Sequence, residues 1–538
     1  MTDSAANAWV TPACLTVCLL LALASRRGPD LNGSGTSTQQ TNDALFIPRH
    51  DAVAPSDKDG YKVPQPRQGL VVDSQVLRDR SFLLAGHELE QAITSGDSRR
   101  LRRQVARLVA GDKIRVVAVG ASITSGAGGR EWPGTQTNWP GYITQFADWL
   151  RAAFPAANAS VHNAGMAGTF SGVFAQCFET LIPEADVYIL EQTTFDGTEP
   201  DRCYCKSHYV DTPVQLGIER LIRRMLKQEH QPAVVMVNPY GYRFPNREVY
   251  QRSVENQVQV MAQFYGLPMA SLRAAAWRNM LSGKNGFDVS TSVKLYGKEE
   301  LPADNYPLYF DQVHPWGPTG HRMLAELLIR IVQATAAGLD IQPRGQLEAE
   351  LPREDLVPPM TAGNYETNTS YCWLGDDFHG LIDKAEGFAW INERPEATER
   401  KAQKWGFVAT EPDSYLEFAI DSRVASSAED SRNRVVLSYL ASYDSSMGIA
   451  GVECVAGCQC EATEIDSSWE QQASMLMTAE FAATQHRQCR VRVTVRKKTS
   501  GKGHKFKLAG VMVLPAGTHE FSASDRLEVA VPQLFGQG

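Results

Sequence analysis

The 538-residue chain lacks the motifs of several large classes of protein. It has no G-x-G-x-x-G dinucleotide fingerprint, because the glycines at 126, 128 and 129 do not have that spacing. No H-E-x-x-H or other metal-binding spacing occurs between residues 113 and 336, and no internal repeat is found. A formal net charge of −8 at pH 7 gives no general attraction to nucleic acid or to anionic membranes. We therefore predict a protein without a nucleic-acid partner.

The composition is that of a globular protein with more than one domain. Hydrophobic residues make up 43% and charged residues 21%, so the chain as a whole is not intrinsically disordered. A chain of 538 residues exceeds what one hydrophobic core usually supports, so two domains with flanking segments are expected. Residues 25–70 are rich in small and polar residues without periodicity, which predicts a flexible stem.

The first 24 residues read as a secretory leader. An uncharged apolar run ends in Ala22-Leu23-Ala24, which fits the small-x-small cleavage pattern of a signal peptide. An uncleaved anchor is the alternative, because the run is about long enough to span a bilayer, although Arg26 and Arg27 follow it. Either interpretation predicts the secretory pathway, outside the cell or in the Golgi or ER lumen, with membrane contact only for an anchor.

Strands and helices alternate from residue 71 to 337, which predicts an α/β domain with a mainly parallel sheet covered on both faces. Active sites in such sheets lie at the carboxyl ends of the strands. Strands are predicted at 114–119, around Val161, at 187–190 and at 234–237, and helices at 81–110, 142–154, 214–226, 250–265 and 319–336.

Prolines interrupt residues 338–368, which we interpret as a linker. From 369 to 535 the periodicity becomes two, as in the alternation of Val491, Val493 and Val495 with arginine and threonine. This pattern predicts an all-β, jelly-roll-like sandwich of antiparallel strands as an accessory domain.

Eight cysteines lie beyond the leader, an even number that favours disulfides in a secreted protein. Three precede the linker and five follow it, so complete pairing needs at least one bridge between domains. A zinc site among the last four is the alternative, although the C-x2-C spacing is missing. Three sequons, at Asn32, Asn158 and Asn368, are compatible with glycosylation. The eight cysteines are Cys177, Cys203, Cys205, Cys372, Cys454, Cys458, Cys460 and Cys489.

Two short segments carry residues suited to nucleophilic catalysis. Ser122 lies between Ala121 and Ile123 directly after the first buried strand, where a tight turn lets its hydroxyl project; capping of the next helix is the alternative. Asp311 precedes His314 by three residues, a spacing at which the carboxylate can bond one ring nitrogen and fix the tautomer. Imidazole can then take the serine proton near neutral pH.

Together these segments resemble the SGNH hydrolases, the GDSL-like esterase superfamily, over residues 113–336. The stretch 120–124 resembles the G-D-S-L block, with Ala121 in place of aspartate, and 311–315 resembles the D-x-x-H-P block. The resemblance implies a flavodoxin-like three-layer α/β/α fold and a triad of Ser122, His314 and Asp311 that needs no cofactor and no metal. It also implies an oxyanion hole formed by the backbone of Ser122 and Gly168, with Gly165 as a second register.

A third block of the family, Gly-x-Asn-Asp, corresponds to residues 190–197, and there the sequence departs from the family pattern. Phe195 occupies the position at which the family has an asparagine that donates to the oxyanion, and phenylalanine cannot donate. The loss of one such donor typically costs about 3–4 kcal/mol of barrier. Gln192 and Thr194 are the possible substitute donors.

Three functions fit these features. The first is a serine esterase that removes O-acyl groups, in particular O-acetyl groups, from a carbohydrate; an acylated glycan or another small ester is the expected partner. The second is a polysaccharide O-acyltransferase that uses the same triad. The third is a catalytically inactive glycan-binding protein, which Phe195 favours and the retained triad opposes.

Overall fold

The computed structural model describes residues 81–192, 213–243, 248–251, 253–297, 301, 305–341, 356–366, 369–397, 403–469 and 474–516, all in one compact unit. The predicted leader and stem lie outside these residues. In the described part of the chain, no helix combines the length and the apolar character needed to cross a bilayer. An α/β domain is followed by a domain of antiparallel strands.

A six-stranded sheet in the order β1-β6-β5-β4-β2-β3 forms the centre of the first domain. Its strands are β1 (Ile93–Thr94), β2 (Arg115–Gly120), β3 (Ser160–Asn163), β4 (Val187–Glu191), β5 (Ala233–Asn238) and β6 (Met269–Ser271). All pairs are parallel except β1 with β6. The predicted, mainly parallel sheet is therefore confirmed.

Helices cover both faces of this sheet. Because side chains alternate along a strand, Ile189 of β4 faces one layer of helices and Leu190 faces the other. Both layers are apolar and buried, which confirms the three-layer α/β/α arrangement. The helices are α1 (Gly86–Gln91), α2 (Arg99–Val109), α3 (Tyr142–Ala153), α4 (Ser171–Gln176), α5 (Phe178–Leu181), α6 (Pro213–Leu226), α7 (Glu255–Phe264), α8 (Leu272–Ser282), α9 (Val293–Tyr296) and α10 (Arg322–Ala337).

The prediction of one helical stretch over 81–110 is wrong. Helices α1 and α2 are separated by β1 and a turn at Gly96, which adopts a φ of +56°. A Cβ on Gly96 would lie 2.7 Å from the carbonyl oxygen of Gly266, so only glycine fits this turn. The chain is thereby turned so that β1 adds an antiparallel edge to β6, a pairing too short to predict from periodicity.

The second domain is a sandwich of two antiparallel sheets, as predicted. One sheet has the order β15-β12-β17-β10-β9, with β7 also paired to β17, and the other has the order β14-β13-β16-β11-β8. The elements are β7 (Tyr371–Leu374), α11 (Asp376–His379), β8 (Ile382–Glu386), β9 (Ala389–Asn392), β10 (Trp405–Ala409), β11 (Tyr415–Ile420), β12 (Arg432–Ser442), β13 (Ile449–Ala456), β14 (Thr463–Asp466), β15 (Ser474–Thr484), β16 (Cys489–Val495) and β17 (Phe506–Leu514).

Disulfides pair six of the eight cysteines beyond the leader. The bridge between Cys177, after α4, and Cys372, in β7, is the link between domains that the cysteine distribution predicts. Bridges Cys454–Cys460 and Cys458–Cys489 use the four cysteines of the alternative zinc site, so in this structure these sulfur atoms form disulfides, as the first interpretation predicts. The other two cysteines, at 203 and 205, lie outside the described residues.

Part of the predicted linker is tied to helix α6. Glu219 of that helix accepts hydrogen bonds from the backbone N–H groups of Met360 and Thr361 and, at 2.7 Å, from the amide of Asn364. Arg223, one turn further, forms an ion pair with Glu366. Residues 356–366 are thus fixed against the α/β domain before the chain enters the sandwich.

Candidate active site

The candidate nucleophile lies in a tight turn at the carboxyl end of β2. The carbonyl oxygen of Ser122 accepts from the backbone N–H of Ala127 at 2.9 Å and from the hydroxyl of Ser125 at 2.8 Å. Ser122 itself is buried. Among the described residues its own backbone N–H has no acceptor, so the turn is held by other groups and leaves this N–H available.

Asp311 and His314 lie in a second turn, between α9 and α10. The backbone N–H groups of Val313 and His314 both donate to Oδ1 of Asp311, each at 2.9 Å. The ring nitrogen Nδ1 of His314 lies 2.9 Å from Oδ2 of the same carboxylate. Burial alone would raise the pKa of Asp311, but the adjacent His314 and these hydrogen bonds outweigh burial and hold the pKa well below its usual range.

The two turns meet at the imidazole. Nε2 of His314 lies 2.9 Å from Oγ of Ser122. Because ionised Asp311 can only accept, Nδ1 of His314 carries the proton and Nε2 is the acceptor for the serine hydroxyl. The structure therefore brings together the three residues that the sequence singles out, in an arrangement that can remove a proton from Ser122.

A buried carboxylate lies beneath the nucleophile turn. Oε2 of Glu191, the last residue of β4, accepts from the hydroxyl of Thr124 at 2.9 Å and from the backbone N–H of Ala121 at 3.3 Å. Desolvation raises the pKa of Glu191 to about 7, against these hydrogen bonds. Glu191 thus ties both sides of the turn that carries Ser122, a role that the sequence pattern does not reveal.

The two candidate glycines of the oxyanion hole, Gly165 and Gly168, have different surroundings. A Cβ on Gly165 would lie 2.6 Å from the backbone nitrogen of Ser125, so this glycine permits close packing behind the nucleophile turn. Gly168 has a φ of +75°, and its carbonyl oxygen accepts from the backbone N–H of Leu476 in β15 at 2.8 Å. Its own N–H has no acceptor in the described part of the chain.

Of the possible substitute donors, only Gln192 can be placed. Phe195 and Thr194 lie outside the described residues. Gln192 follows β4, is 2% exposed, and has no hydrogen-bond partner on either polar atom of its amide in the described structure. The amide of Asn238, at the end of the adjacent strand β5, is also buried and unpartnered. A buried amide without a hydrogen-bond partner costs free energy, and Gln192 is the one of the two that follows β4, the strand paired with β2.

The sandwich domain reaches the candidate site through an arginine. The guanidinium carbon of Arg394, in the β9–β10 connection, lies 3.3 Å from the ring centroid of Trp132. That indole ring in turn lies 6.1 Å, between centroids, from the imidazole of His314. Sequence reasoning missed this contact, because its residues belong to different domains and share no motif.

Two other residues near the site, His321 and Trp316, are buried and hydrogen-bonded to the backbone. His321 is fully buried, with Nε2 2.8 Å from the carbonyl oxygen of Ala127 and Nδ1 accepting from the backbone N–H of Tyr142. Burial lowers the pKa of His321 to about 4, and both ring nitrogens are occupied by these backbone groups, so His321 has a structural role. Trp316 is buried, and its indole N–H donates to the carbonyl oxygen of Thr135.

The two-domain fold is similar to that of a solved protein. No protein-family model matches the chain, and no curated protein matches its sequence. A two-domain esterase (CEX) active on acetylated mannans superposes with a TM-score of 0.52 and 17% identity, covering 80% of this chain and 99% of the esterase. The same esterase co-crystallised with mannopentaose gives a TM-score of 0.51 over the same shares of the two chains. At this identity the similarity establishes the two-domain fold.

Proposed function

We propose that the protein is a serine esterase of the SGNH type that hydrolyses O-acetyl esters on a carbohydrate. The observation that carries the proposal is the continuous hydrogen-bonded line from Ser122 through His314 to Asp311, with Nε2 and Oγ 2.9 Å apart. Each distance lies within the range for direct proton transfer between nucleophile and base.

In the proposed reaction, Oγ of Ser122 attacks the ester carbonyl while Nε2 of His314 takes the hydroxyl proton. Ionised Asp311 stabilises the imidazolium that forms. The C–O bond to the sugar then breaks, and His314 returns its proton to the departing sugar oxygen. Water, deprotonated by the same nitrogen, cleaves the acyl-serine to give acetate and restores Ser122.

Three donors are assigned to the developing oxyanion. The backbone N–H groups of Ser122 and Gly168 are free of other acceptors among the described residues. The side-chain amide of Gln192 is the third, since it is buried without a partner at the end of β4, the strand paired with β2. This amide would replace the donor that Phe195 cannot supply.

A matched pair of variants tests the third donor. Gln192→Leu should lower kcat by about 10²–10³ with little change in KM, because the interaction exists only in the transition state. Asn238→Leu removes the neighbouring unpaired amide and should leave kcat within threefold. Equal effects of the two variants on kcat would refute the assignment of Gln192.

Two observations support a glycan as the substrate that bears the acetyl ester: a contact near the triad and the substrate of the structurally similar esterase. The contact between Trp132 and Arg394 presents an aromatic ring and a guanidinium beside His314, groups suited to the apolar faces and hydroxyls of sugars. The structurally similar esterase acts on acetylated mannans, and we extend that substrate class to this chain as part of the proposal.

The direct test is acetate release from acetylated mannan and acetylated xylan, with Ser122→Ala as the negative control. We expect release from at least one polymer, reduced at least a thousandfold in the variant. Transfer to an added unacetylated glycan, without release to water, would instead identify an acyltransferase. Absence of both reactions in folded protein would refute catalysis.

We also infer a secretory location for the mature protein. Three disulfides in the described residues, including the bridge between the domains, are typical of oxidising compartments. Mass determination of the protein recovered from the culture medium of secreting cells tests this inference and shows whether residues 1–24 are removed.

A further inference from the structure

A groove of about 760 Å³ lies close to the triad but does not include it. It is lined in part by the loop of residues 130–139, whose Trp132 contacts His314, and by the turn that follows His314. Its volume is within the range of sites for small ligands. We term it the aromatic groove and define it by six of its lining residues, Asn138, Trp139, Asn285, Tyr306, Trp316 and Arg322.

Two large rings in the groove are open to solvent. Trp139 is 43% exposed and Tyr306 is 37% exposed, whereas Trp316 is buried and its ring centroid lies 5.8 Å from that of Tyr306. The backbone of Trp139 is fixed at both ends, because its carbonyl oxygen accepts from Arg130 and its N–H donates to the hydroxyl of Thr137. Exposed rings on a fixed, concave surface are a platform for a ligand with an apolar face.

The polar groups of the groove select among such ligands. Oδ1 of Asn285 already accepts from the backbone N–H of Tyr306, so the amide NH2 is the group left for a ligand. The guanidinium of Arg322 lies over the ring of Trp139, 5.5 Å from its centroid. No carboxylate is among the described residues that line the groove, and the amides disfavour a purely apolar molecule.

We propose that the aromatic groove binds a neutral oligosaccharide, namely a stretch of the polymer that carries the scissile ester. Pyranose rings present an apolar C–H face to Trp139 and Tyr306 and hydroxyls to the amide and guanidinium donors. Trp316 follows His314 by only two residues, so a chain held in the groove is held beside the catalytic imidazole. This inference rests on the proposed function for the identity of the polymer, but binding itself requires no catalysis.

The test measures binding of unacetylated mannohexaose and xylohexaose to the full chain carrying Ser122→Ala, by calorimetry. In that background we expect Trp139→Ala and Tyr306→Ala each to weaken the binding of one of these oligosaccharides at least tenfold. Tyr443→Ala removes a ring that is 57% exposed on the sandwich and is the matched control, with affinity within twofold. Thermal unfolding midpoints within 2 °C of the parent would show that the variants are folded.

The outcomes separate this inference from the proposed function. Groove-dependent binding by a protein that releases no acetate would support the groove and refute the esterase. Acetate release by the wild type, together with unchanged oligosaccharide affinity in both groove variants, would overturn the inference that the aromatic groove binds the polymer. Unchanged affinity with a lowered unfolding midpoint for Trp139→Ala would also overturn it, and would show that this ring stabilises the fold instead of binding a ligand.

Discussion

Replacement of Asp311 by asparagine should abolish most of the activity while the site geometry is retained. In the native turn, the backbone N–H groups of Val313 and His314 both donate to Oδ1 of Asp311. Those two donors require an acceptor, so an asparagine will place its carbonyl oxygen at Oδ1. Its NH2 group must then occupy the Oδ2 position, 2.9 Å from Nδ1 of His314, while its carbonyl oxygen, at the Oδ1 position, lies 3.0 Å from the same nitrogen.

The consequence is a change of tautomer. An NH2 group donates, and in the nearer of the two positions it repels a proton on Nδ1 of His314. We therefore expect Nδ1 to become an acceptor and the ring proton to move to Nε2, which can then no longer accept from Ser122. When the acid of a serine triad is replaced in this way, kcat falls by about 10⁴, or about 5 kcal/mol of barrier. We expect a loss of that order for Asp311→Asn.

The assay is hydrolysis of p-nitrophenyl acetate at pH 7, with Asp311→Ala as the comparison. Alanine removes the carboxylate but imposes no tautomer, so its activity should equal or exceed that of the asparagine variant. Activity of Asp311→Asn within tenfold of the wild type would refute the assigned hydrogen-bond pattern. Circular dichroism would verify that both variants are folded.

Three further predictions concern the surroundings of the triad. Gly168→Ala introduces a Cβ where φ is +75°, a strain of about 1–2 kcal/mol, and should lower kcat about tenfold; unchanged kcat would argue against Gly168 in the oxyanion hole. Removal of the Cys177–Cys372 bridge, whose cysteines are 195 positions apart in the sequence, should lower the free energy of unfolding in urea by up to about 5 kcal/mol through chain entropy. Removal of Cys454–Cys460 should cost about 2 kcal/mol, and the reverse order would contradict this estimate. Burial raises the pKa of Glu191 from 4.5 to about 7, so wild type loses stability as the pH rises through that range, because the buried carboxyl must then ionise. The free energy of unfolding of Glu191→Gln should therefore rise relative to that of wild type by up to about 3 kcal/mol from pH 4.5 to pH 7. A difference that does not depend on pH would refute the raised pKa.

The parts of the fold that follow from local pattern could be predicted. The buried strand before Ser122 and the alternation around Val491 both appear as periodicity in the sequence, and the structure has β2 and β16 there. The edge strand β1 and its neighbour β6 could not be predicted, because strands of two and three residues leave no periodic signal. Their pairing depends on a turn at Gly96, set by a close approach to Gly266.

At the candidate site, too, residues in local motifs could be predicted and residues placed by tertiary packing could not. Ser122, Asp311 and His314 could be singled out because each lies in a short motif with a chemical reason for its spacing. Arg394 could not, since its place over Trp132 depends on how the two domains pack. The roles of Glu191 beneath the turn and of the unpaired amide of Gln192 emerge only when burial and hydrogen bonds are known.

The most direct measurement is fluorophosphonate labelling of the full protein, because the probe reacts with an activated serine without requiring a known substrate. Wild type and Ser125→Ala, which alters a neighbouring buried hydroxyl, should both be labelled. Ser122→Ala and His314→Ala, if folded, should not be labelled. Labelling that persists in Ser122→Ala, or that is absent from folded wild type, would contradict the assignment of Ser122 as an activated nucleophile.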